Sequence, residues 1–254
     1  MASERLFSLF LRRAGPRAND LGRMTLPELV VAYVTYPSII VYAVLCGVCI
    51  GFAVMLGAMQ APARALAAAA AAVLVYPFVE YLLHRFVLHG RWLYKNPLTA
   101  DLWKRIHYDH HQDPNRLDVL FGSLSNTLPT IVAIGLPVGW LIGGAPGAFS
   151  ALASAFVIIS VYEFCHCVQH LNYTPKSAWL RRIKKHHMAH HFHNETGNFG
   201  ITSTFIDRIV GTFYEDQKTR PRSVHNYDLG YDQAEAQRYP WVAERSRSAA
   251  DSPG

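Results

Sequence analysis

The sequence has few charged residues: Asp, Glu, Lys and Arg make up 17% of the 254 residues, whereas hydrophobic residues make up 51%. None of these four charged types, and no histidine, occurs in residues 29–59 or in residues 125–161. A soluble domain intersperses apolar residues with polar ones at helical or strand spacing. The two uncharged runs therefore favour a membrane protein over an ordinary soluble domain.

Cysteine is also scarce, with four residues in the chain. Cys46 and Cys49 lie inside the first uncharged run, without the strand and helix that surround a redox motif, so neither a disulfide framework nor a thiol redox activity is implied. The first ten residues lack a cleavable signal pattern and are typical of a short interfacial helix. The pI near 9.2 requires no nucleic acid partner, because basic residues that face anionic lipid headgroups account for it.

The length of the uncharged runs predicts how often the chain crosses the membrane. A hydrocarbon core of about 30 Å needs roughly 20 helical residues, so residues 125–161 are too many for one crossing. This run contains the sequence GGAPG at residues 143–147, where glycine and proline permit a tight turn. We predict four crossings, at about 33–57, 65–86, 127–143 and 147–168.

Lysine and arginine predict the orientation, because short loops rich in these residues stay in the cytoplasm. Residues 1–29, 87–126 and 171–254 hold 5, 5 and 12 of the 24 Lys and Arg residues. Both termini are therefore expected in the cytosol. We predict an all-α integral membrane protein with an N-terminal segment (1–29), a membrane domain with a cytosolic helical cap (30–242) and a disordered tail (243–254). Alanine-rich and arginine-favouring usage favours a bacterial inner membrane.

Twelve of the thirteen histidines fall in four clusters, which the predicted topology brings to the cytosolic membrane face. Two clusters end predicted crossings, and the other two lie on predicted cap helices that begin near Thr99 and Thr174. The spacings are His-x4-His, His-x2-His-His, His-x3-His and His-x2-His-His. The ten candidate metal ligands are His84, His89, His107, His110, His111, His166, His170, His187, His190 and His191.

Helical geometry predicts how these histidines divide between metal ions. Positions i, i+3 and i+4 share a helix face, with i+3 and i+4 on either side of i, so each His-x2-His-His triplet offers nitrogens to two adjacent centres. His84 and His89 are five residues apart and diverge on an α-helix, which suits ligands of different ions or a distorted helix end. Ten histidines at such spacings supply two metal ions with about five ligands each.

Several other residues are expected close to the ligands. Glu80 and Glu163 lie one turn before candidate ligands, where a carboxylate can orient an imidazole N–H group. Asp109 and Asp113 either do the same or are solvated. His186 and His193 are expected beside the ligand set, although His186 exchanges roles with His187 in an alternative register.

The chemistry available at a bilayer favours iron. Imidazole binds zinc, iron, copper and nickel alike. A site against a membrane meets aliphatic substrates, and attack on an unactivated C–H bond requires dioxygen and a redox-active metal, which zinc is not. We therefore predict two iron ions, with zinc as an inactive substitute. A carboxylate-bridged di-iron bundle is a poor match because it needs two Glu-x-x-His motifs, and only Glu163-x-x-His166 is available.

The order of the four clusters resembles that of the fatty acid hydroxylase and sterol desaturase superfamily, most closely the fatty acid 2-hydroxylases. Glu80-Tyr-Leu-Leu-His84-Arg, Gly200-Ile-Thr-Ser, Asp207 and Gly211-Thr212 also match, so the resemblance covers about residues 65–215. It implies a four-helix membrane oxygenase with the same ten ligands, a lipid substrate and dioxygen. Because residues 1–29 are too few for a fused haem domain, a separate electron donor such as a ferredoxin or cytochrome is expected.

Two other functions remain open on the sequence. A sterol or carotenoid oxidase or desaturase of the same superfamily would have the same ligands. A non-redox histidine-rich membrane metalloprotein, such as a metal carrier or a hydrolase, would need no electron donor. Phe199, Phe205 and Phe213 are candidates for lining an acyl-chain site or for ordinary packing.

Overall fold

The computed structural model describes residues 20–244, and within this range the regular structure is helical without a strand. The predicted interfacial helix and most of the predicted tail lie outside the described residues. The chain forms two compact units: the first runs up to Val79 and resumes over Phe121–Tyr173, and the second comprises Glu80–Leu120 and the chain from Thr174. The α-helices, in chain order, are α1 (Leu26–Val34), α2 (Pro37–Met55), α3 (Pro62–Leu82), α4 (Pro97–Trp103), α5 (Asp109–Gln112), α6 (Leu124–His170), α7 (Ala178–Phe192), α8 (Phe205–Val210) and α9 (Gln233–Arg238).

Three stretches of the described chain are long and apolar enough to cross a membrane: Pro37–Met55, Pro62–Lys95 and Leu117–His170. The first predicted crossing, at 33–57, is shorter in the structure because the chain breaks before Pro37. Thr35 ends α1, Tyr36 is extended, and Pro37 begins α2. Proline has no N–H group to continue the preceding helix, which explains the break.

The third candidate span contains the predicted turn. Within α6, Gly143 and Gly144 leave the helical conformation, and Gly144 has φ 61° and ψ −149°, a backbone region that only glycine adopts readily. The two arms of α6 then return alongside each other, since Gly139 faces Gly147 and Ala151 across the turn. The prediction of a break at residues 143–147 is confirmed, and the two arms correspond to the third and fourth predicted crossings.

Helix α2 packs antiparallel against the second arm of α6. The rings of Phe52 and Phe149 stack with centroids 5.1 Å apart, and the Cys46 thiol donates to the carbonyl oxygen of Ala153 at 3.5 Å. Small residues elsewhere in the arms allow the backbones to approach closely, which is how helices associate without a hydrophobic driving force between them in lipid. The first unit is thus a set of apolar helices held by small and aromatic residues.

In the second unit, the helices that carry histidines begin at different caps from those predicted. Helix α4 is capped by Asn96, whose side chain accepts from the Leu98 N–H at 2.9 Å, whereas Thr99 donates to the Leu93 carbonyl at 2.6 Å. Helix α7 is capped by Ser177 and not by Thr174. The predicted caps were therefore three residues from the observed ones, because each segment offers two residue types that can cap a helix.

An aromatic core fixes α4 within the second unit. It contains the buried residues Leu93, Tyr94, Trp103, Tyr231 and Val242. The Trp103 indole N–H also donates to the Leu88 carbonyl at 3.0 Å, which ties α4 to the chain just before His89. This core therefore fixes the cluster that begins at His107 relative to the cluster that ends at His89.

We expect Gly139→Ala to destabilise the α6 turn. A Cβ atom at this position would lie 2.7 Å from both the Ala148 Cα and the Ala151 Cβ, so the two arms must separate. Overpacking of this kind typically costs about 1–3 kcal/mol, which would lower the thermal unfolding midpoint in detergent. Gly51→Ala in α2 is the matched control, because nothing lies within 4 Å of its added Cβ. Equal midpoints for the two variants would contradict the close packing of the arms.

Candidate metal centre

The end of α3 widens into a π-helical turn at Leu83–Leu88. The N–H of His89 donates to the carbonyl of His84 at 3.0 Å, a bond between residues five apart. In a π-helix such residues lie on one face, and the two rings have centroids 5.0 Å apart. His84 and His89 therefore do not diverge: of the two alternatives in the sequence, the distorted helix end is the one observed.

A second π-helical turn, Lys104–Tyr108, separates α4 from α5 and carries His107. The Nε2 atoms of His107 and His89 are 2.8 Å apart. His110 and His111 follow in α5, both buried. The two π-helical turns thus bring histidines from separate segments against one another, and such turns are often found at functional sites.

Four histidines of the second unit form the first group, called here the four-histidine group: His84, His89, His107 and His190. One ring nitrogen from each lies within 4.8 Å of those of the other three. Three of the residues are buried and His89 is partly buried. Four nitrogens that converge this closely form a geometry in which one metal ion could be bound.

A further three histidines of the second unit, His110, His187 and His191, form the three-histidine group. Their ring nitrogens also lie within 4.8 Å of one another, and all three residues are buried. His187 and His191 are one turn apart on α7, whereas His190, between them, belongs to the four-histidine group. The triplet therefore divides between two groups, as its spacing predicts.

His111 borders both groups. Its ring stacks on that of His191 with centroids 4.1 Å apart and lies 4.6 Å from that of His107. Its Nδ1 donates to the Asn226 carbonyl at 2.8 Å. His111 is thus positioned where its Nε2 can serve a centre at either group.

The remaining two candidate ligands, His166 and His170, belong to the first unit. They lie one turn apart in the last turns of α6, are buried, and have ring centroids 5.3 Å apart. Glu163, one turn earlier, accepts from the Gly122 N–H at 2.9 Å. The end of the α6 helix therefore presents a pair of buried imidazoles at the spacing expected of ligands.

Backbone carbonyls set the tautomers of several candidate ligands. The Nδ1 of His84 donates to the Phe199 carbonyl, and the Nδ1 of His190 donates to the Gly197 carbonyl at 2.8 Å. Because a carbonyl oxygen only accepts, Nδ1 carries the hydrogen and Nε2 keeps its lone pair. The Nε2 of His190 is buried and has no hydrogen-bond partner among the described residues. Metal-binding histidines are commonly oriented in this way, by a carbonyl that accepts from the ring nitrogen not bound to the metal.

The imidazoles are also held neutral. Burial lowers the pKa of His190 to about 4, although its bond to the Gly197 carbonyl opposes the shift. Burial, and then the neighbouring His89 and His111, lowers the pKa of His107 well below its usual value. Both rings are therefore uncharged at pH 7, which is the state in which imidazole binds a metal.

The carbonyls that orient His84 and His190 lie in one segment, residues 197–202, called here the carbonyl loop. Two buried carboxylates hold it. Asp207 accepts from the N–H groups of Phe199 (2.9 Å) and Gly200 (2.7 Å), and from the Thr212 hydroxyl (2.7 Å). Glu80 accepts from the N–H groups of Ile201 and Thr202 and from the Thr202 hydroxyl. Four consecutive N–H groups are thus satisfied by two side chains.

Glu80 and Asp207 therefore act on the backbone that orients the histidines. The sequence suggested Glu80 as a direct partner of an imidazole, but its observed bonds are to the carbonyl loop. The position of Asp207 was visible in the sequence, seven residues after Gly200, but its role was not predicted. The signals for it were its match to the superfamily pattern and its place shortly after a glycine-containing loop.

The other predicted neighbours lie away from the histidine groups or have different partners. Asp109 forms an ion pair with Lys104, with 2.7 Å between Nζ and Oδ2, and Asp113 is exposed. The Nε2 of His193 donates to the Arg220 carbonyl at 2.9 Å. His186 is buried but belongs to neither group, whereas His187 belongs to the three-histidine group.

The three phenylalanines that were candidates for a chain-lining role differ in their burial and in the side chains that they contact. Phe199 is buried and lies edge-on to His89 and His190, with ring centroids 5.4 and 5.6 Å apart. Phe213 packs against His186, and Phe205 is exposed. Of these three, Phe199 is the one that offers an apolar surface directly beside a histidine group.

We expect Asp207→Asn to weaken metal retention. The amide nitrogen cannot accept, so an N–H group of Phe199 or Gly200 loses its acceptor and the carbonyl loop shifts from His84 and His190. Loss of such second-sphere support typically lowers metal affinity about 10–100-fold. Metal per chain after dialysis against a weak chelator, measured beside Asp216→Asn, tests this. Asp216 caps an exposed turn, and an equal metal content in both variants would contradict the proposed support.

Comparison with known proteins agrees with this geometry. The model of the fatty acid hydroxylase family matches residues 69–212, which is more than half of the chain. The match includes all ten candidate ligands, Asp207 and Thr212.

Named relatives share part of the sequence. The chain is 31% identical over 148 residues to the ceramide very long chain fatty acid hydroxylase SCS7 of Saccharomyces cerevisiae, covering 56% of this chain and 36% of that protein. It is 29% identical over 153 residues to the dihydroceramide fatty acyl 2-hydroxylase FAH2 of Arabidopsis thaliana, covering 55% of this chain and 57% of that protein. It is 25% identical over 150 residues to the fatty acid 2-hydroxylase of Rattus norvegicus, covering 57% of this chain and 39% of that protein. The chain thus matches about half of these proteins, or less.

A solved structure is also similar. The structure of full-length scs7p, in which only the hydroxylase domain is visible, has a TM-score of 0.51 and 26% sequence identity, and the match covers 80% of this chain and 71% of that one. The fold, the family match and the histidine geometry agree. The chain therefore belongs to the fatty acid hydroxylase family.

Proposed function

We propose that the protein is a membrane-bound dimetal monooxygenase that hydroxylates a lipid acyl chain, of a fatty acid or a sphingolipid-like molecule. Dioxygen is the oxidant, and a separate donor such as a ferredoxin or cytochrome supplies electrons. The observation that carries the proposal is the pair of adjacent histidine groups, whose buried and neutral nitrogens converge at the end of an apolar helix. Membership of the fatty acid hydroxylase family supports the substrate class.

The proposed ligands are all ten histidines. The four-histidine group and the three-histidine group each supply one metal centre, His111 serves at their border, and His166 and His170 complete the set. For these last two the support is their burial, their one-turn spacing and their place at the end of an apolar helix. No carboxylate belongs to either group in the described part of the chain. An all-imidazole set of this kind suits iron, zinc, copper or nickel.

Iron is the proposed metal. Two iron ions bound here would supply dioxygen activation and attack on an unactivated C–H bond, which zinc cannot do. The protein's own groups orient the histidine rings and shape their surroundings. The carbonyl loop keeps the Nδ1 protons of His84 and His190 away from the metal side, and Phe199 excludes water beside the four-histidine group and offers an acyl chain an apolar wall.

The proposed site faces the cytosol, as do both termini, because of the distribution of lysine and arginine. A bacterial inner membrane is the proposed location. With this orientation, a soluble or peripheral electron donor on the cytosolic side can reach the site.

We expect His187→Gln to abolish lipid hydroxylation and His186→Gln to retain it. The two histidines are adjacent and both buried, but only His187 belongs to a histidine group. Lipids of cells that express equal amounts of wild type and each variant, under air, would be compared by mass spectrometry. A gain of one oxygen on an acyl chain in the wild type and His186→Gln, but not in His187→Gln, is the expected result.

Other outcomes of that comparison identify other functions. Loss of two hydrogens would indicate a desaturase, and an oxidised sterol or carotenoid would indicate that alternative within the superfamily. If the comparison is repeated without dioxygen, a product that forms equally would indicate the non-redox metalloprotein. Activity retained in His187→Gln and lost in His186→Gln would overturn the assignment of the ligand.

We expect that removing the metal abolishes activity and that iron, but not zinc, restores it. Protein stripped by a chelator would be reloaded with ferrous iron or with zinc in lipid nanodiscs, and given a chemical reductant and dioxygen. Both metals should bind, at close to two ions per chain, because imidazole accepts either. Activity with zinc, or binding of a single ion, would contradict a di-iron centre.

A further inference from the structure

Helix α8 presents apolar side chains to the outside of the second unit. Phe205, Ile209 and Val210 are 56%, 64% and 49% exposed, whereas Ile206 and Asp207 on the opposite side are buried. Phe205 and Ile209 are four residues apart and share a face. Large apolar side chains grouped on an exposed face usually mark a surface that contacts something apolar.

The surroundings of α8 connect it with the end of a candidate membrane span. The Tyr81 hydroxyl is 3.1 Å from the Thr212 hydroxyl, and the Tyr81 ring packs edge-on against Phe199. Glu80 accepts from the carbonyl loop that leads into α8. Glu80 and Tyr81 lie in the last turn of α3, where an apolar span gives way to charged residues. Helix α8 is therefore tied to the residues that end α3.

Cations lie beside this apolar face. The Arg208 guanidinium is 3.6 Å from the centroid of the Phe213 ring. Arg208, Arg182 and Lys185 all lie within 4.0 Å of the same exposed carboxylate, that of Glu215. Three cations and one carboxylate leave a local excess of two positive charges, which complements the phosphate groups of anionic lipids.

We propose that α8 is an interfacial membrane anchor. Phe205, Ile209 and Val210 insert among the acyl chains of the bilayer, and Arg208, Arg182 and Lys185 face anionic lipid headgroups. An acidic soluble protein would satisfy the cations but would leave the apolar face unexplained, whereas a lipid surface accounts for both. This anchor lies outside the histidine groups and does not depend on the reaction that they catalyse.

The anchor also has a structural connection to the site. Asp207 lies on the buried side of α8 and accepts from the Phe199 and Gly200 N–H groups, so α8 and the carbonyl loop move together. Insertion of α8 into lipid therefore holds the segment that orients His84 and His190.

Site-specific photo-crosslinking tests the anchor. The photoreactive residue p-benzoylphenylalanine would replace Phe205 or Ile209 in the full chain, in vesicles of phosphatidylcholine and phosphatidylglycerol, with the exposed Gln217 as the control position. We expect the yield of lipid adducts at positions 205 and 209 to be about tenfold higher than at position 217. Burying a large apolar side chain in lipid favours that position by a factor of this size. Adducts with a protein, or a yield no higher than at position 217, would overturn the anchor.

Arg208→Gln in the same assay tests the headgroup contact. The crosslinked lipids at position 209 should favour phosphatidylglycerol over its share of the vesicle, and Arg208→Gln should reduce that enrichment by about half or more. Arg238→Gln, which removes an exposed arginine on α9, is the control and should leave the phosphatidylglycerol enrichment unchanged. An enrichment unaffected by Arg208→Gln would overturn the headgroup contact. Metal content and gel-filtration profile equal to wild type would show that each variant is folded.

Discussion

A buried imidazole must direct its N–H proton to an acceptor, and the rest of this site depends on how that requirement is met. Rings that face one another cannot all donate to each other, and burial makes the charged form costly. The carbonyl oxygens of Gly197 and Phe199 accept the Nδ1 protons of His190 and His84. The Nε2 lone pairs are then directed into a shared space. Without these acceptors, the buried Nδ1 protons of His84 and His190 would lose their hydrogen bonds.

The carboxylates of the second unit support this arrangement from outside the histidine groups. Glu80 and Asp207 are both buried, yet their oxygens accept N–H groups from the carbonyl loop. A carboxylate that serves the backbone in this way is a poor candidate for a metal ligand. Because Glu80 and Asp207 bind the backbone, the groups that converge at the site are neutral imidazole nitrogens. This distinguishes the site from carboxylate-bridged di-iron bundles built from Glu-x-x-His motifs.

Much of this architecture could be predicted from the sequence, because it follows from local rules. The absence of charge marked the apolar helices, glycine marked the turn at Gly144, and the His-x2-His-His spacing on α7 divided the triplet between two groups. For His84 and His89, five residues apart, the sequence left two alternatives, ligands of different ions or a distorted helix end, because spacing alone does not choose between them; the structure shows a π-helical turn. The role of Asp207 was also hidden, because its partners are backbone N–H groups that become neighbours only when the loop closes.

Residues 197–213 connect three features that would otherwise be independent. Their carbonyls orient His84 and His190, their N–H groups bind Glu80 at the end of an apolar helix, and their helix exposes Phe205 and Ile209. A segment that only covered the histidines would have no reason to expose large apolar side chains. The combination is explained if the geometry of the centre is completed where the protein meets lipid, which is also where the proposed acyl-chain substrate would reside.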